Sequence, residues 1–262
     1  MIRLIDLLKE GVYDPGILKC IFMAGGPGSG KSTIAKELLG IGGGLSSVSV
    51  GGLKSVNSDT SFEATLKKNG IDPKELANIE KENPELFKHI TEDPNGIRAQ
   101  AKKTSNQIKA FYEAGRLGMI VDGTGDDYGK IKTQKEKAES LGYDTFMLFV
   151  NTSLEVALAR NRARDRVLPD SIVTDIWKSC QENLGKFQGL FSGRFRIIDN
   201  SSSAKLSITN TTYKGTQYKT EARIASDVQK AAADFAKEPI RNAIGKNWVQ
   251  TQLILKNANV VK

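Results

Sequence analysis

The sequence predicts an α/β fold, a doubly wound sheet of five parallel strands. Three observations point there. Short strand-like runs alternate with stretches of helical spacing along most of the chain, the pattern of strand and crossover helix. A glycine-rich turn, Gly25 to Gly30, separates the first apolar run from the first helical stretch. Two later strand candidates end in an aspartate, Asp59 and Asp122. Such residues fall at the carboxyl ends of strands, where open α/β sheets hold their ligands.

Residues 1–17 open the chain with a short amphipathic helix, Ile2, Ile5 and Leu8 on one face. Arg3, Asp6 and Lys9 interrupt its apolar run, so it does not read as a signal peptide. Gly11 to Gly16 is a turn. Leu18 to Met23 suits a buried parallel strand. The residues after it, from Gly25 to Ser32, fit the pattern G-x-x-x-x-G-K-[ST] at every fixed position. Ile34, Leu38 and Leu39 follow at helical spacing, so a helix starts near Lys31. Glycine lets backbone approach a phosphate closely, and converging N–H groups with a helix N-terminus supply the positive field. Gly25, Gly26, Gly28, Ser29, Gly30, Lys31, Ser32 and Thr33 are therefore candidate nucleotide contacts. Lys31 reaches the β- and γ-phosphates, and the Ser32 hydroxyl is a ligand for Mg²⁺.

Gly40 to Gly52 reads as a glycine-rich loop. Leu53 to Asp59 is a second strand with a polar tip. Asp59 there would take or orient the proton of an attacking hydroxyl. With Thr60, Ser61 and Glu63 behind it, it equally suits a helix N-cap. Residues 60–95, broken by Pro73, Pro84 and Pro94, read as short helices over the strand tips, a place for acceptor recognition. Ile97 to Ala114 is a clearer helix, ended by Gly115.

Met119 to Val121 is the third strand and runs into Asp122, Gly123 and Thr124. Asp122 would hold Mg²⁺ directly or through water, and Thr124 would touch phosphate or substrate. An ordinary Asp-Gly turn is the plain alternative. Tyr128 to Leu141 is a helix, Asp144 to Val150 a fourth strand buried on both faces, and Leu154 to Arg164 a helix. Arg160, Arg162, Arg164 and Arg166 follow one another here. On a continuous helix 160 and 164 share one face, and 162 and 166 the other. Pro169 breaks the helix and makes the segment a hinged lid, before Ser171 to Phe187 resumes as helix. Phe195 to Asn200 is the fifth strand, with Asn200 and the following serines at an adenine-side tip. Residues 18–200 thus form one domain. Residues 201–262, including a helix over Thr220 to Lys237, form an appendage that either packs on the domain or touches nucleic acid.

Composition narrows the classes. The chain has 262 residues, of which 39% are hydrophobic, enough for one large core. Its net charge of +8 favours polyanionic partners, nucleic acid among them, or simply solubility. With one histidine, His89, and no Cys-x-x-Cys, a zinc site is excluded. Cys20 and Cys180 read as reduced, buried thiols of a cytoplasmic protein. No run reaches the ~20 apolar residues of a membrane span.

The glycine loop, Asn57-Ser58-Asp59, Asp122-Gly123-Thr124 and the arginine segment occur in chain order. In this the sequence resembles the zeta-toxin and polynucleotide-kinase branch of P-loop kinases, over roughly residues 18–200. The stretch from Ala159 to Arg164, then Val167-Leu168-Pro169 and a helix, looks like the lid of phage polynucleotide kinases and of phage kinases acting on hydroxymethylated DNA bases. The resemblance implies ATP or GTP with Mg²⁺, Asp59 as base, Arg164 as transition-state stabiliser and Arg160 in support. It implies a hydroxyl acceptor, a DNA or RNA 5′-hydroxyl, a hydroxymethylated base or a nucleotide sugar. A binding module that hydrolyses nucleotide slowly as a switch is the reading from another class. The oligomeric state stays open.

Overall fold

The structure, a computed structural model, describes residues 12–40, 49, 51–164, 167–201, 208–213, 216–221 and 226–257. The expected N-terminal helix and most of the Gly40–Gly52 loop lie outside the described residues, as does Arg166.

Five strands form one parallel sheet: β1 (Lys19–Ala24), β2 (Lys54–Val56), β3 (Met119–Asp122), β4 (Asp144–Asn151) and β5 (Phe195–Asp199), in the order β2-β3-β1-β4-β5. β1 lies centrally, pairing Ile21 with Ile120 of β3 and with Phe146 of β4. The helices are α1 (Lys31–Leu39), α2 (Ser58–Lys68), α3 (Leu76–Glu82), α4 (Pro84–Thr91), α5 (Ile97–Gly115), α6 (Tyr128–Ser140), α7 (Leu154–Arg162), α8 (Asp170–Phe191), α9 (Ser226–Lys237) and α10 (Ala243–Asn257).

Strand alternation divides the core into two layers. Cys20, Phe22, Ala24, Val121, Met147 and Phe149 face Phe187 and Phe191 of α8, with Trp248 and Val249 of α10 packed at the margin. Ile21, Met23, Ile120, Leu148 and Val150 face Ile34 of α1 and Val228, Ala232 and Phe235 of α9. Truncating a ring such as Phe187, fully buried, to alanine costs about 3–5 kcal/mol. A third, smaller cluster (Phe62, Leu66, Leu76, Ile90 and Ala101) holds α2 to α5 together beside the sheet.

Several expected boundaries move. The second strand is only Lys54–Val56, because the Asn57 side chain accepts from the amides of Asp59 (2.7 Å) and Thr60 (3.4 Å) and starts α2 there. Asp59 is therefore in the first helical turn, neither a strand tip nor the N-cap. The fourth-strand helix stops at Arg162, short of Arg164. Residues 208–213 and 216–221 pair as an antiparallel hairpin, β6 (Ile208–Tyr213) and β7 (Thr216–Glu221), so the helix expected from Thr220 begins at Ser226.

Candidate active site

β1 delivers the chain to the glycine loop, where Gly28 and Gly30 answer local demands. Gly28 sits at φ +74°, and a Cβ on it would stand 2.3 Å from the Ala157 carbonyl oxygen. Gly30, at φ +84°, heads α1 without any side-chain cap, which leaves the first-turn amides of the helix for a ligand. Lys31 folds back, its Nζ donating to the Gly25 carbonyl at 2.5 Å. The loop is held from outside as well. Asn200 Nδ2 donates to the Ser29 carbonyl at 2.7 Å, and Arg160 Nη1 to the Gly28 carbonyl at 3.4 Å. Asn200, expected near an adenine, braces the phosphate loop from the tip of β5.

A glycine loop joins β1 to α1 in an all-parallel sheet ordered β2-β3-β1-β4-β5, the strand–loop–helix context that the pattern G-x-x-x-x-G-K-[ST] requires of a phosphate-binding loop, or P-loop. The P-loop borders a cleft of about 510 Å³ at the carboxyl ends of the strands. Of the residues singled out in the sequence, Gly26, Gly28, Ser29, Gly30, Lys31, Ser32, Thr33, Asp59, Asp122, Thr124, Arg160 and Arg164 line it. Gly25 does not, and lies beneath it as the acceptor for Lys31.

Asp122 ends β3 on the cleft floor. Its Oδ2 accepts from Asn57 Nδ2 at 2.8 Å, while its Oδ1 is buried without a hydrogen-bond partner. Burial pushes its pKa up, the Lys31 ammonium opposes this, and the Asp59 carboxylate adds to it. An orphaned carboxylate oxygen beside a serine hydroxyl and an ammonium fits a divalent cation. Mg²⁺ keeps waters and phosphate oxygens and needs only one or two protein ligands, so Asp122 and Ser32 suffice as protein donors.

Asp59 faces the same cleft from α2, its side chain 66% exposed. Its Oδ1 pairs with Arg98 Nη1 at 2.9 Å, and the Arg98 guanidinium lies 4.7 Å from the centroid of the Phe62 ring. Arg98 and the capping Asn57 escape sequence reasoning as site residues. Arg98 begins an ordinary helix and meets its carboxylate only through tertiary packing. Asn57 has a legible signal, a capping residue before a polar turn.

The arginine segment does not stay on one continuous helix, and of its four arginines Arg160, Arg162 and Arg164 lie among the described residues. Arg160 points to the cleft from α7, and Arg164 reaches it from the bend after the helix. Arg162 turns away and pairs with Asp170. Asn161 closes this bend. Fully buried, it donates from Nδ2 to the Leu168 carbonyl at 2.7 Å and accepts from the Leu168 amide at 3.1 Å. Behind the cleft, α8 supports the loop after β3: Asn183 Nδ2 donates to the carbonyls of Gly125 (3.2 Å) and Asp126 (2.8 Å), and the Cys180 thiol to that of Thr124 (3.2 Å). Burial pushes both thiols, Cys20 and Cys180, up to about 12, so neither is a nucleophile near neutral pH.

No protein-family model and no curated protein matches the chain. Solved structures do align with it. One, from the PezAT chromosomal toxin–antitoxin system of Streptococcus pneumoniae, is 13% identical, with a TM-score of 0.43, over 93% of this chain and 88% of that one. The AvrRxo1-ORF1:ORF2 complex with ATP is 11% identical, with a TM-score of 0.45, over 90% and 72%. A putative kinase from Chloroflexus aurantiacus is 13% identical, with a TM-score of 0.42, over 70% and 88%. Among the described residues, no helix is long and apolar enough to cross a membrane.

Proposed function

We propose that the chain is a phosphotransferase that moves the γ-phosphate of ATP or GTP to a hydroxyl group. The observation that carries this is the meeting, in one cleft, of the P-loop, the orphaned Asp122 oxygen, Asp59 and the arginines Arg98, Arg160 and Arg164. A slow switch needs the loop and the metal ligand. The Asp59 carboxylate and the Arg164 guanidinium, which both line the cleft, add the parts that transfer requires.

The chemistry follows from these positions. The loop amides and the start of α1 hold the β- and γ-phosphates, and Lys31 exchanges the Gly25 carbonyl for them. Ser32 and Asp122 would hold Mg²⁺, which when bound neutralises charge on the bridging phosphate oxygens. Asp59 accepts the proton of the acceptor hydroxyl as its oxygen bonds to the γ-phosphorus, and the bond from that phosphorus to the β-phosphate oxygen breaks, releasing the nucleoside diphosphate. Arg164, with Arg160 behind it, faces the equatorial oxygens as charge spreads over them. The resemblance to zeta toxins and polynucleotide kinases supports the same roles. Its acceptor hydroxyls are those of nucleic-acid ends, modified bases or nucleotide sugars.

The test is transfer of label from γ-labelled ATP to a panel of hydroxyl compounds. Asp59→Asn should still bind ATP and lose at least about 100-fold in transfer, and Lys31→Ala should lose nucleotide binding as well. Full transfer by Asp59→Asn removes the assigned base. Label found only as free phosphate with every acceptor supports the switch instead.

A further inference from the structure

The acceptor side of the cleft differs in charge from the rest of the chain. Asp59, Glu63 and Arg164 belong to two cavities at once. One is the phosphate cleft. The other, about 390 Å³, continues past Asp59 between α2, the turn at Pro73–Glu75 and the arginine bend. Its floor is Phe62, Leu66 and Leu76, and Lys74 stands at its rim. A hydroxyl in this cavity meets Asp59 and Arg164, which the phosphate cleft shares, so this is where an acceptor would sit.

Between Ser58 and Asn95, the segment that walls this cavity, carboxylates outnumber lysines nine to five and there is no arginine. The whole chain is +8, so its positive excess lies elsewhere. A nucleic-acid strand binds by neutralising phosphates with lysine and arginine. The cavity's own lining is balanced, Asp59 and Glu63 against Lys74 and Arg164, and the segment around it carries the carboxylate excess, so there is no surplus of cations to neutralise a strand's phosphates or the diphosphate of a nucleotide sugar. The cavity itself pairs an aromatic and aliphatic floor with carboxylates that accept hydrogen bonds from hydroxyl groups. Its volume suits one compact molecule.

We propose that the acceptor is a small, uncharged polyhydroxyl compound, a free sugar or cyclitol, held by Glu63 and Lys74 over Phe62 with one hydroxyl on Asp59. This rests on the phosphotransferase reading and narrows its substrate. The surplus of positive charge expected to serve a nucleic-acid acceptor does not lie in the segment from Ser58 to Asn95.

The experiment offers the full chain γ-labelled ATP with four acceptor sets: pooled uncharged pentoses, hexoses and cyclitols; a 5′-hydroxyl oligodeoxynucleotide; a hydroxymethylated duplex; and UDP-sugars. Label is expected in the uncharged pool. Glu63→Gln is then expected to raise the acceptor KM about tenfold, with the KM for ATP unchanged. Label in the oligonucleotide, the duplex or the UDP-sugars overturns the proposal and leaves the phosphotransferase standing. Turnover of ATP to free phosphate with no label in any set overturns both. An unchanged acceptor KM in Glu63→Gln, with label in the pool, overturns the assigned cavity.

Discussion

Two aspartates at strand ends of the same sheet, one half-buried and one buried, have opposite surroundings. Asp122 ends β3 and Asp144 begins β4, with β1 between them. Asp144 is fully answered. Its Oδ2 accepts from Lys19 Nζ at 2.8 Å and the Arg241 amide at 2.9 Å, and its Oδ1 from the Asn242 amide at 2.9 Å. Burial pushes its carboxyl up, but the Lys19 ammonium and those amides outweigh this and hold it below the usual carboxylate range. Asp122 has one side-chain donor and one bare oxygen, and its pKa is raised. Folding satisfies buried polar groups wherever it can. A satisfied carboxylate at the start of a strand fastens the chain, whereas an unsatisfied one at a strand end is left for something that binds.

Exchanging the charge at each position separates the two roles. Asp144→Asn should cost about 3–5 kcal/mol, because it leaves the buried Lys19 with only the more distant Glu238 carboxylate, at 3.9 Å, and weakens the attachment of residues 238–242 to the sheet. Activity per folded molecule should not change. Asp122→Asn should do the reverse: stability held or slightly raised, transfer down about 100-fold or more. Urea midpoints and initial transfer rates on both variants make the comparison. A stable Asp144→Asn, or an active Asp122→Asn, collapses the distinction.

Acid titration sharpens it, since the two shifts have opposite signs. Asp144 is depressed in the fold. Its contribution is present above the unfolded value, 3.8, and is lost as pH falls through the lower folded value. Asp122 is raised. Its protonated form suits the fold better, so its contribution is full below 3.8 and is lost as pH rises through the folded value. Unfolding free energies of the nucleotide-free protein, wild type against Asp122→Asn, should therefore diverge as pH rises from 3.8. Added Mg²⁺ and ATP should cancel the divergence by restoring a use for the charge.

The sequence makes one of these aspartates legible and hides the other, for a physical reason. Asp122 follows three apolar residues at a strand end, and the P-loop upstream says what such a carboxylate is for; its neighbours in the chain carry the signal. Asp144 stands at the head of an apolar strand, and its partners are 97, 98 and 125 positions away. Nothing local marks it. The same holds across the molecule. Sheet, loop and arginine split are encoded in short stretches, and the sheet is as expected. Asn57, by contrast, capped its helix earlier than the apolar pattern suggested and carried Asp59 into a helical turn. Arg98 meets Asp59 from a helix that begins 39 residues after α2 does and has no motif of its own. The hairpin at 208–221 has the alternating, threonine-rich pattern of strands, and the alanines after it obscured the boundary.

The smallest effect is expected at Asn161, which has the full satisfaction of Asp144 yet lies beside the cleft. Its amide makes both hydrogen bonds that return Leu168 to α7, which ties the chain down on the far side of Arg164. Asn161→Ala leaves the Leu168 amide and carbonyl without those partners, at a cost of about 1–3 kcal/mol that is felt mainly in the bend. A guanidinium that must find its place costs rate without costing nucleotide affinity, since the P-loop contacts are untouched. Transfer should fall about tenfold with the Kd for ATP unchanged. Asn161→Asp, which can still accept from the Leu168 amide, should fall less. In an Arg164→Ala background, Asn161→Ala should lower transfer no further. A full additional loss there would mean that the buried amide supports the core and not the arginine.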